Sequence, residues 1–443
     1  MQDWLNYRFE NNPGDTFLRI KNRNFSYEEA GNIIYDRALA LTDFGVNPNH
    51  RVGIFLSESL DFIETYLSCY KIRTTSVILN TKWKETELKN AFEAVPLDFI
   101  ICNFSDKKLF MQFRKPLIFI EELSKSFGSC SPPVIKEKIN KDDIQSILFT
   151  SGSQGSPKPV CLTYDNFYQS SLKWEKAVKL NNRDNYLLCL SLYHIGGLAI
   201  IMRALHLGFS ISINMDIKNN FIDFNNSSII SVVPTLLIDL MQNSKILEYL
   251  KNMRCIIVSG STSSESLLLD CKENSLNIFV SYGMTETCSS ICGFWLLKNN
   301  TTEKSVGYPF EGVSISTENK NIIIESNTVM KKYFNGVLTN GIFKTSDYGE
   351  FKEDLLLYGR IDDTIVSGGE NIDPSEVVNA IKKIIPYCKI TSFKKDDSYW
   401  GEISGVYVYT KQEITSEGLK AELKKIIANH KIPQKIFIKE LIT

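Results

Sequence analysis

Residues 51–102 decide the fold, because three short apolar runs, RVGIFL at 51–56, TSVILN at 75–80 and LDFIIC at 97–102, alternate with helix-like segments. The runs have the length and apolar character of buried strands. The segments between them place apolar residues at helical spacing. Strands separated by helices of this length predict βαβ units and therefore a parallel sheet.

The alternation of strand-like and helix-like segments continues along the chain. Further strand-like runs occur at residues 146–150, 186–191, 229–233, 255–259 and 278–281. Residues 305–358 differ, because short strands there alternate with Gly and Asn turns and predict a small antiparallel unit. The last part contains two helical stretches on either side of a strand-like run, which predicts a small α+β domain.

These patterns predict an α/β protein with two domains. The large N-terminal domain, residues 1–361, combines βαβ-type parallel sheets with the small antiparallel β unit, and the α+β domain, residues 362–443, follows it. The length of 443 residues fits two or three domains. Hydrophobic residues at 43% and charged residues at 23% are ordinary for a soluble globular protein.

Charge and cysteine content exclude several classes of protein. Fifty Lys and Arg residues against 51 Asp and Glu residues give a net charge of -1, which favours neither nucleic acid nor an anionic membrane as a partner. The ten cysteines form no CxxC pairs, which is typical of reduced, mostly buried thiols in a cytosolic protein. The N-terminus lacks the regions of a signal peptide, and no apolar run approaches the ~20 residues of a membrane span. We therefore expect a soluble, cytoplasmic protein, and a homo-oligomer stays open.

A loop rich in glycine and hydroxyl groups follows one of the predicted strands. Residues 147–158 read ILFTSGSQGSPK, so a hydrophobic strand runs into small polar residues and ends at a lysine. Close backbone approach, hydroxyl donors and a positive charge together suit a polyphosphate. The loop lacks the GxxxxGK[ST] pattern of a P-loop, and in isolation a surface turn would be the simpler interpretation. The candidate phosphate-binding residues are Thr150, Ser151, Gly152, Ser153, Gln154, Gly155 and Lys158.

Two further motifs supply groups that a nucleotide needs. Residues 281–287, SYGMTET, offer an aromatic face for a purine, a hydroxyl for a phosphate and a carboxylate for Mg²⁺. Downstream, Asp347 in TSD can accept hydrogen bonds from both ribose hydroxyls, and Arg360 can steady the nucleotide. Taken alone, Asp347 would be a turn residue and Arg360 half of a surface ion pair. Their order along the chain, after the phosphate loop, favours a single nucleotide site.

In this order the motifs resemble those of the adenylate-forming superfamily, which comprises acyl-CoA synthetases, firefly-type luciferases and the adenylation domains of peptide synthetases. The phosphate loop of that superfamily resembles TSG[ST]TGxPKG, whereas this chain has TSGSQGSPKP, with Gln154 and Pro159 at the departures. YGMTE matches residue by residue, and the usual TGD is TSD here. The resemblance covers nearly the whole chain.

The resemblance implies a role for each matched residue. Tyr282 would lie against adenine, Thr285 at the α-phosphate and Glu286 near the metal. Asp347 would hold the ribose, and Arg360 would steady the nucleotide. The implied cofactors are ATP, Mg²⁺ and coenzyme A as co-substrate. The candidate catalytic residues are His194, Thr285, Glu286 and Lys158.

His194 is one of only four histidines and lies in SLYHIGG, residues 191–197. A lone histidine after an apolar strand is more often a core side chain than a catalyst, but the superfamily has a PLFHxxGL pattern beside its carboxylate pocket. The resemblance therefore favours a role for His194 in positioning the acid more than in proton transfer. The other candidates for the acid-binding site are Gly260, Ser261 and Gly283.

The C-terminal segment resembles the mobile domain of the same superfamily. Asp362, in GRIDD, corresponds to the hinge about which that domain rotates, and Gly368 and Gly369 to a loop that lines the pantetheine tunnel. A tight turn before a helix would explain the paired glycines equally well. Residues 430–437, HKIPQKIF, resemble the segment before the superfamily's terminal catalytic-lysine loop. That lysine has no counterpart up to Thr443, so we expect slow adenylation unless the natural protein extends further or another cation substitutes.

Several segments are most similar to the o-succinylbenzoate–CoA ligases of menaquinone and phylloquinone synthesis, among them LNTK at 79–82, YHIGGL at 193–198 and GGENI at 368–372. The resemblance implies an AMP-forming acid–thiol ligase that joins o-succinylbenzoate to coenzyme A through an acyl-AMP. One departure, SGSTS at 259–263 in place of a GGGP-like turn, falls at the expected acyl pocket. Two alternatives stay open: another aromatic or short-chain acyl-CoA ligase, and an acyl-AMP-binding homologue with impaired adenylation.

Overall fold

A computed structural model of the protein describes residues 1–21, 23–123, 138–150, 157–219, 224, 226–299, 304–360, 364–386 and 388–440. The described strands form four sheets. Three sheets are built before residue 361 and the fourth after residue 364. The predicted fold class, parallel sheets with a small antiparallel unit and a small C-terminal α+β part, is confirmed.

Residues 51–102 form the centre of the first sheet, as their pattern predicts. Its strand order is β18 (Lys332–Tyr333), β8 (Lys158–Thr163), β7 (Ile144–Thr150), β4 (Thr75–Ile78), β3 (Arg51–Phe55), β5 (Phe99–Cys102) and β6 (Leu117–Phe119). The strands from β7 to β6 are parallel, because helices return the chain across the sheet between them. β8 departs from the parallel pattern and forms an antiparallel hairpin with β7.

The second sheet is mostly parallel and has nine strands. Its order is β15 (Tyr308–Pro309), β14 (Ser289–Trp295), β13 (Ile278–Met284), β12 (Cys255–Val258), β11 (Ile229–Val232), β9 (Asn185–Leu188), β10 (Ser210–Ile213), β1 (Thr16–Ile20) and β2 (Arg23–Ser26). The parallel strands from β13 to β1 share one carboxyl edge. Ligands of α/β proteins bind at such edges, and the 281–287 motif begins within β13 and extends past its end at this edge.

The third and fourth sheets are smaller and mainly antiparallel. The third, predicted as the antiparallel unit, has the order β16 (Val313–Glu318), β17 (Asn321–Ser326), β19 (Ile342–Phe351) and β20 (Leu355–Arg360). The fourth contains β22 (Glu370–Ile372), β21 (Ile365–Ser367), β24 (Gly401–Thr410) and β23 (Lys389–Asp397), with β25 (Lys435–Glu440) parallel to β24. The apolar face of this sheet packs against two helices, which gives the C-terminal part its own core.

The helices begin where the local sequence provides caps. Ser26 and Glu29 form a reciprocal capping box at the start of α2, and Thr163 accepts a hydrogen bond from the Asn166 backbone at the start of α7. The helices are α1 (Trp4–Asn11), α2 (Tyr27–Asp43), α3 (Ser59–Ile72), α4 (Glu85–Ala94), α5 (Lys107–Phe110), α6 (Ile120–Leu123), α7 (Tyr164–Val178), α8 (Ile195–Leu207), α9 (Pro234–Met241), α10 (Ser244–Asn252), α11 (Glu265–Glu273), α12 (Pro374–Ile384) and α13 (Ser416–Ile426). Among the described helices, none is both long and apolar enough to cross a membrane. The described cysteines are free thiols, and most of them are buried.

Candidate active site

The predicted phosphate-binding residues lie where β7 and β8 meet. Thr150, the last residue of β7, pairs with Lys158, the first residue of β8. Both are half-buried, so their side chains flank the point where the loop leaves and rejoins the sheet. The other predicted phosphate ligands lie outside the described residues: Ser151, Gly152, Ser153, Gln154 and Gly155.

Glu286 is a buried carboxylate in a 3₁₀ turn that directly follows β13. Its Oε1 accepts a hydrogen bond from the Tyr333 hydroxyl at 2.9 Å and a longer one from Thr150 Oγ1 at 3.4 Å. Thr285, the predicted α-phosphate ligand, precedes it and is half-buried. Within the described parts of the chain, no cluster of three His, Cys, Asp or Glu side chains could hold a metal alone. A single carboxylate suits Mg²⁺ that arrives with a nucleotide, because such ions take most of their ligands from phosphates and water.

Tyr282, Asp347 and Arg360 form one hydrogen-bonded cluster. Asp347 on β19 pairs in register with Arg360 on β20, and Arg360 Nη1 lies 3.2 Å from Asp347 Oδ1. The Tyr282 hydroxyl, from the second sheet, donates to Asp347 Oδ2 at 2.6 Å. Burial raises the pKa of the Tyr282 hydroxyl well above its ordinary value, and the Asp347 carboxylate raises it further. The hydroxyl therefore stays a donor, and it ties the third sheet to the end of β13.

The Glu286 turn and the Asp347 cluster lie within electrostatic reach of each other. Burial raises the pKa of the Glu286 carboxyl, whereas the positive charges of Arg360 and Lys158 oppose that rise. Segments near residues 150, 282, 347 and 360, which are distant in sequence, are thus brought to one place. The arrangement brings Thr150 and Lys158, which flank the predicted phosphate loop, near a buried carboxylate and a carboxylate–guanidinium pair.

His194 contacts the C-terminal part of the chain. It precedes α8, and its Nε2 lies 3.1 Å from Glu370 Oε2, while Lys82 Nζ lies 3.5 Å from Glu370 Oε1. Burial alone would raise the pKa of the Glu370 carboxyl, but the electrostatic contacts with His194, His430 and Lys82 lower it below its ordinary value. Sequence reasoning missed Glu370 and Lys82 as functional candidates. The available signal was their place in the GGENI and LNTK segments.

The paired glycines Gly368 and Gly369 turn the chain between β21 and β22, both with positive φ. A Cβ on Gly369 would lie 2.7 Å from Val233 Cγ1, and one on Gly260 would lie 3.2 Å from the same atom. Ser261 Oγ is buried there without a hydrogen-bond partner among the described residues. Glycine is therefore required where the C-terminal part passes over the carboxyl edge of the second sheet. The predicted hinge Asp362 lies outside the described residues.

A small pocket opens beside His194 at the ends of β4 and β7. Its lining residues are Ile78, Asn80, Trp83, Phe149, Tyr193 and His194. The Tyr193 and His194 rings meet edge to face at a centroid distance of 4.7 Å. The pocket thus has aliphatic and aromatic walls together with the Asn80 amide and the His194 imidazole.

Gly283 lies in β13, and Arg203 of α8 contacts the paired strand β14 at Ser289. A Cβ on Gly283 would lie 2.2 Å from the Ser289 carbonyl oxygen, so packing alone already requires glycine at this position. Arg203 Nη2 donates to Ser289 Oγ at 2.7 Å, and the guanidinium lies 4.8 Å from the centroid of the Trp174 ring. Arg203 is buried, and no ion pair joins it to a carboxylate of the described chain. Neither Arg203 nor Tyr333 stands in a motif, and sequence reasoning missed both.

Comparison with known proteins extends these observations over the full chain. The family model of AMP-binding enzymes matches residues 5–334. The 2-succinylbenzoate–CoA ligases of Bacillus cereus strain Q1 and Bacillus mycoides strain KBAB4 are each 26% identical to this chain over 464 residues. Each alignment covers 100% of this chain and 95% of the relative.

Solved structures of the o-succinylbenzoate CoA synthetase of Bacillus subtilis are 25% identical to this chain and share its fold over 100% of its length and 95% of theirs. A double mutant of that enzyme bound with its product analogue OSB-NCoA gives a TM-score of 0.91. Its complex with the acyl-adenylate intermediate OSB-AMP gives 0.76. The arrangement of the present chain is therefore nearer to that of the product-analogue complex.

Proposed function

Because this chain belongs to the AMP-binding enzyme family, we propose that it is an ATP-dependent acid–CoA ligase that forms an acyl-AMP and then an acyl-CoA thioester. We propose o-succinylbenzoate as the acid, a choice supported by full-length similarity to 2-succinylbenzoate–CoA ligases. Two groups of contacts carry the proposal, because both lie at the end of β13. Thr150 contacts Glu286 in the turn after β13, and Tyr282 of β13 contacts Asp347, which pairs with Arg360.

In the first half-reaction a carboxylate oxygen of the acid attacks the α-phosphorus of ATP. A new phosphorus–oxygen bond forms, the bond to the β-phosphate bridge breaks, and pyrophosphate leaves. Thr285 would donate to the α-phosphate, and Lys158 would add positive charge at the base of the predicted phosphate loop. Glu286 would hold Mg²⁺ together with the phosphates, and that ion supplies charge that offsets the phosphate oxygens.

Recognition of the nucleoside follows from the Tyr282 cluster. The ring of Tyr282 offers a face to adenine while Asp347 fixes its hydroxyl. The Asp347 carboxylate, oriented by Arg360, accepts hydrogen bonds from the ribose hydroxyls. The same contacts that join the two sheets thus define the nucleotide site.

In the second half-reaction the thiolate of coenzyme A attacks the acyl carbonyl carbon of the acyl-AMP, and AMP leaves as the carbon–oxygen bond to its phosphate breaks. We infer that the pantetheine arm passes along the turn at Gly368 and Gly369, where the backbone lies so close to Val233 that no Cβ would fit. Glu370 holds His194 at the rim of the pocket, which positions the imidazole beside the acyl group. Similarity to the product-analogue complex supports this arrangement as the one for thioester formation.

The buried Arg203 supports a substrate with two carboxylates. In o-succinylbenzoate one carboxylate is activated and the other remains charged. A buried guanidinium without a carboxylate partner costs free energy. Because the Ser289 hydroxyl accepts a hydrogen bond from Arg203, a substrate anion that approaches Ser289 would gain a charge-assisted hydrogen bond from that hydroxyl. Ser289 pairs with Met284, one residue beyond Gly283, and this closeness to a predicted acid-binding residue supports the proposed role of Arg203.

The proposed partners are small molecules: the acid, ATP and coenzyme A. A cytoplasmic location is supported by the free and mostly buried thiols, because reduced cysteines persist in the cytosol. Mg²⁺ accompanies ATP as its counter-ion.

Mass spectrometry of products tests the function directly. Protein incubated with o-succinylbenzoate, ATP and Mg²⁺ should give the acyl-AMP, and adding coenzyme A should convert it to the thioester. If another acid supports ATP–pyrophosphate exchange and o-succinylbenzoate does not, the substrate is wrong and the ligase assignment stands. If a stable acyl-AMP analogue raises the melting temperature while no acid gives AMP or a thioester, the protein binds acyl-AMP without catalysis.

A further inference from the structure

Lys431 is a buried cation between carboxylates of the two parts of the chain. Its Nζ lies 2.5 Å from Glu87 Oε1 on α4 and 2.8 Å from Glu376 Oε1 on α12. Only 8% of Lys431 and 5% of Glu87 are exposed. The contact with Glu87 joins the C-terminal part to the first sheet's helices, whereas the contact with Glu376 stays within the C-terminal part.

The Glu87 carboxylate is also held by a hydrogen bond within its own helix. Its Oε2 accepts a hydrogen bond from the Lys84 backbone at 2.8 Å, which caps α4 and fixes the side chain. Burial would lower the pKa of Lys431, but Glu376 and Glu87 raise it above its ordinary value. Burial raises the pKa of the Glu376 carboxyl, and the contact with Lys431 opposes that rise. Lys431 is therefore charged, because both carboxylates contact it directly.

The ion pairs of Lys431 also hold the adjacent residue His430 in position. Lys431 ends a 3₁₀ turn that contains His430, and His430 Nε2 lies 4.0 Å from Glu370 Oε2. Glu370 in turn contacts His194 at 3.1 Å. A C-terminal part that left Glu87 would withdraw Glu370 from His194, because these contacts cross the same interface.

We propose that Lys431, through its ion pair with Glu87, is a positioning residue for thioester formation. It holds the C-terminal part in the arrangement in which Glu370 contacts His194. The inference rests on the proposed ligase function for its catalytic consequence, and on the contacts alone for its structural one. Any rotation of the C-terminal part breaks the Lys431–Glu87 pair and preserves the Lys431–Glu376 pair. The cost of breaking the first pair therefore biases the domain arrangement.

Glu87→Gln and Glu376→Gln form a matched pair of variants. Both remove one carboxylate from the same lysine, and glutamine at residue 87 keeps an oxygen to cap α4. Glu87→Gln should slow conversion of synthetic acyl-AMP and coenzyme A to thioester by about tenfold, while ATP–pyrophosphate exchange stays within about twofold. Glu376→Gln should not slow thioester formation, because Lys431 keeps its partner across the interface. Should Glu87→Gln fail to fold, Lys431→Met leaves α4 intact and should show the same split.

A second measurement needs no catalysis. Trp400 is 41% exposed and follows Tyr399, whose hydroxyl donates to Asp239 across the same interface at 2.7 Å. In protein labelled with 5-fluorotryptophan, the ¹⁹F resonance of Trp400 should report docked and undocked populations, and Glu87→Gln should lower their ratio by about tenfold. If populations shift but the unmodified protein forms no thioester, the positioning role stands and the ligase function fails. Unchanged populations in both Glu87→Gln and Lys431→Met, or equal effects of the two glutamate variants, would overturn the proposal.

Discussion

Replacing Glu370 by glutamine removes the charge that Lys82 and His194 share across the interface, while it keeps the size of the side chain. Glu370 lies 3.5 Å from Lys82 Nζ and 3.1 Å from His194 Nε2. The depressed pKa of Glu370 means that the carboxylate is charged throughout the neutral range, and its contribution would be lost only as the pH falls through that low value. We therefore expect Glu370→Gln to weaken the docked arrangement at neutral pH and to slow thioester formation.

The size of the effect follows from the distances and exposures. Coulomb's law gives about 5 kcal/mol for unit charges 3.5 Å apart at an effective dielectric constant of 20, and about 1 kcal/mol in water. The Lys82 side chain is 54% exposed and that of His194 43%, so solvent screens both strongly. The loss should be about 1–2 kcal/mol in total, which corresponds to about 5- to 30-fold in the docking equilibrium.

The assay separates the two half-reactions. Rapid-quench measurement of synthetic acyl-AMP with coenzyme A should show the 5- to 30-fold loss estimated above, whereas ATP–pyrophosphate exchange should change little. Glu422→Gln is a suitable control, because Glu422 carries an exposed ion pair with Lys425 within the same part of the chain. Equal slowing of both half-reactions by Glu370→Gln, or a thioester rate that matches the control, would refute the reasoning.

Three further outcomes follow from the described contacts. Asp347→Asn should raise the KM for ATP by about 10- to 100-fold and abolish discrimination between ATP and 2′-deoxy-ATP. If the variant still discriminates between the two nucleotides, Asp347 does not bind the ribose hydroxyls. Glu286→Gln should raise the Mg²⁺ concentration for half-maximal pyrophosphate exchange by about tenfold while leaving the reaction of synthetic acyl-AMP intact; equal loss in both would assign Glu286 a structural role. Burial, together with the charges of Arg8 and Arg203, lowers the pKa of His206 in the folded protein to about 3. As the pH falls below about 6.5, His206 becomes protonated in the unfolded chain but not in the folded protein, so the free energy of unfolding decreases. Urea unfolding should show about 2 kcal/mol less stability at pH 5 than at pH 7, and His206→Gln should remove that component.

Local pattern was sufficient to predict the strands and helices of residues 51–102, because each is a short apolar run with a turn on either side. It was insufficient for the β1–β2 hairpin, because β1 joins the sheet through β10, which lies far along the chain. It also missed the antiparallel pairing of β8 with β7, since both strands are apolar and pairing direction leaves no mark on composition. Long-range pairing is decided by packing between layers, which periodicity does not encode.

The candidate site also contains residues that sequence motifs identify and residues that they do not. Motif residues such as Tyr282 and Asp347 could be predicted to share a site, and their hydroxyl–carboxylate contact brings them together, although their roles toward ATP stay predictions. Tyr333 and Arg203 could not be found, because each stands alone in sequence and becomes notable only through its buried neighbours. Lys431 and Glu87 escaped for a different reason: their contact depends on how the C-terminal part docks.

The parallel pairing of β1 with β10 has a consequence for biosynthesis. In the folded protein Leu18 of β1 pairs with Ile211 of β10. During synthesis the β1–β2 hairpin therefore lacks its partner strand until β10 has been made. At usual elongation rates that interval is roughly 10 to 40 s, during which an apolar edge is exposed on the nascent chain. A truncated product that ends before β10 would keep that edge, and we expect such fragments to aggregate or to require chaperones.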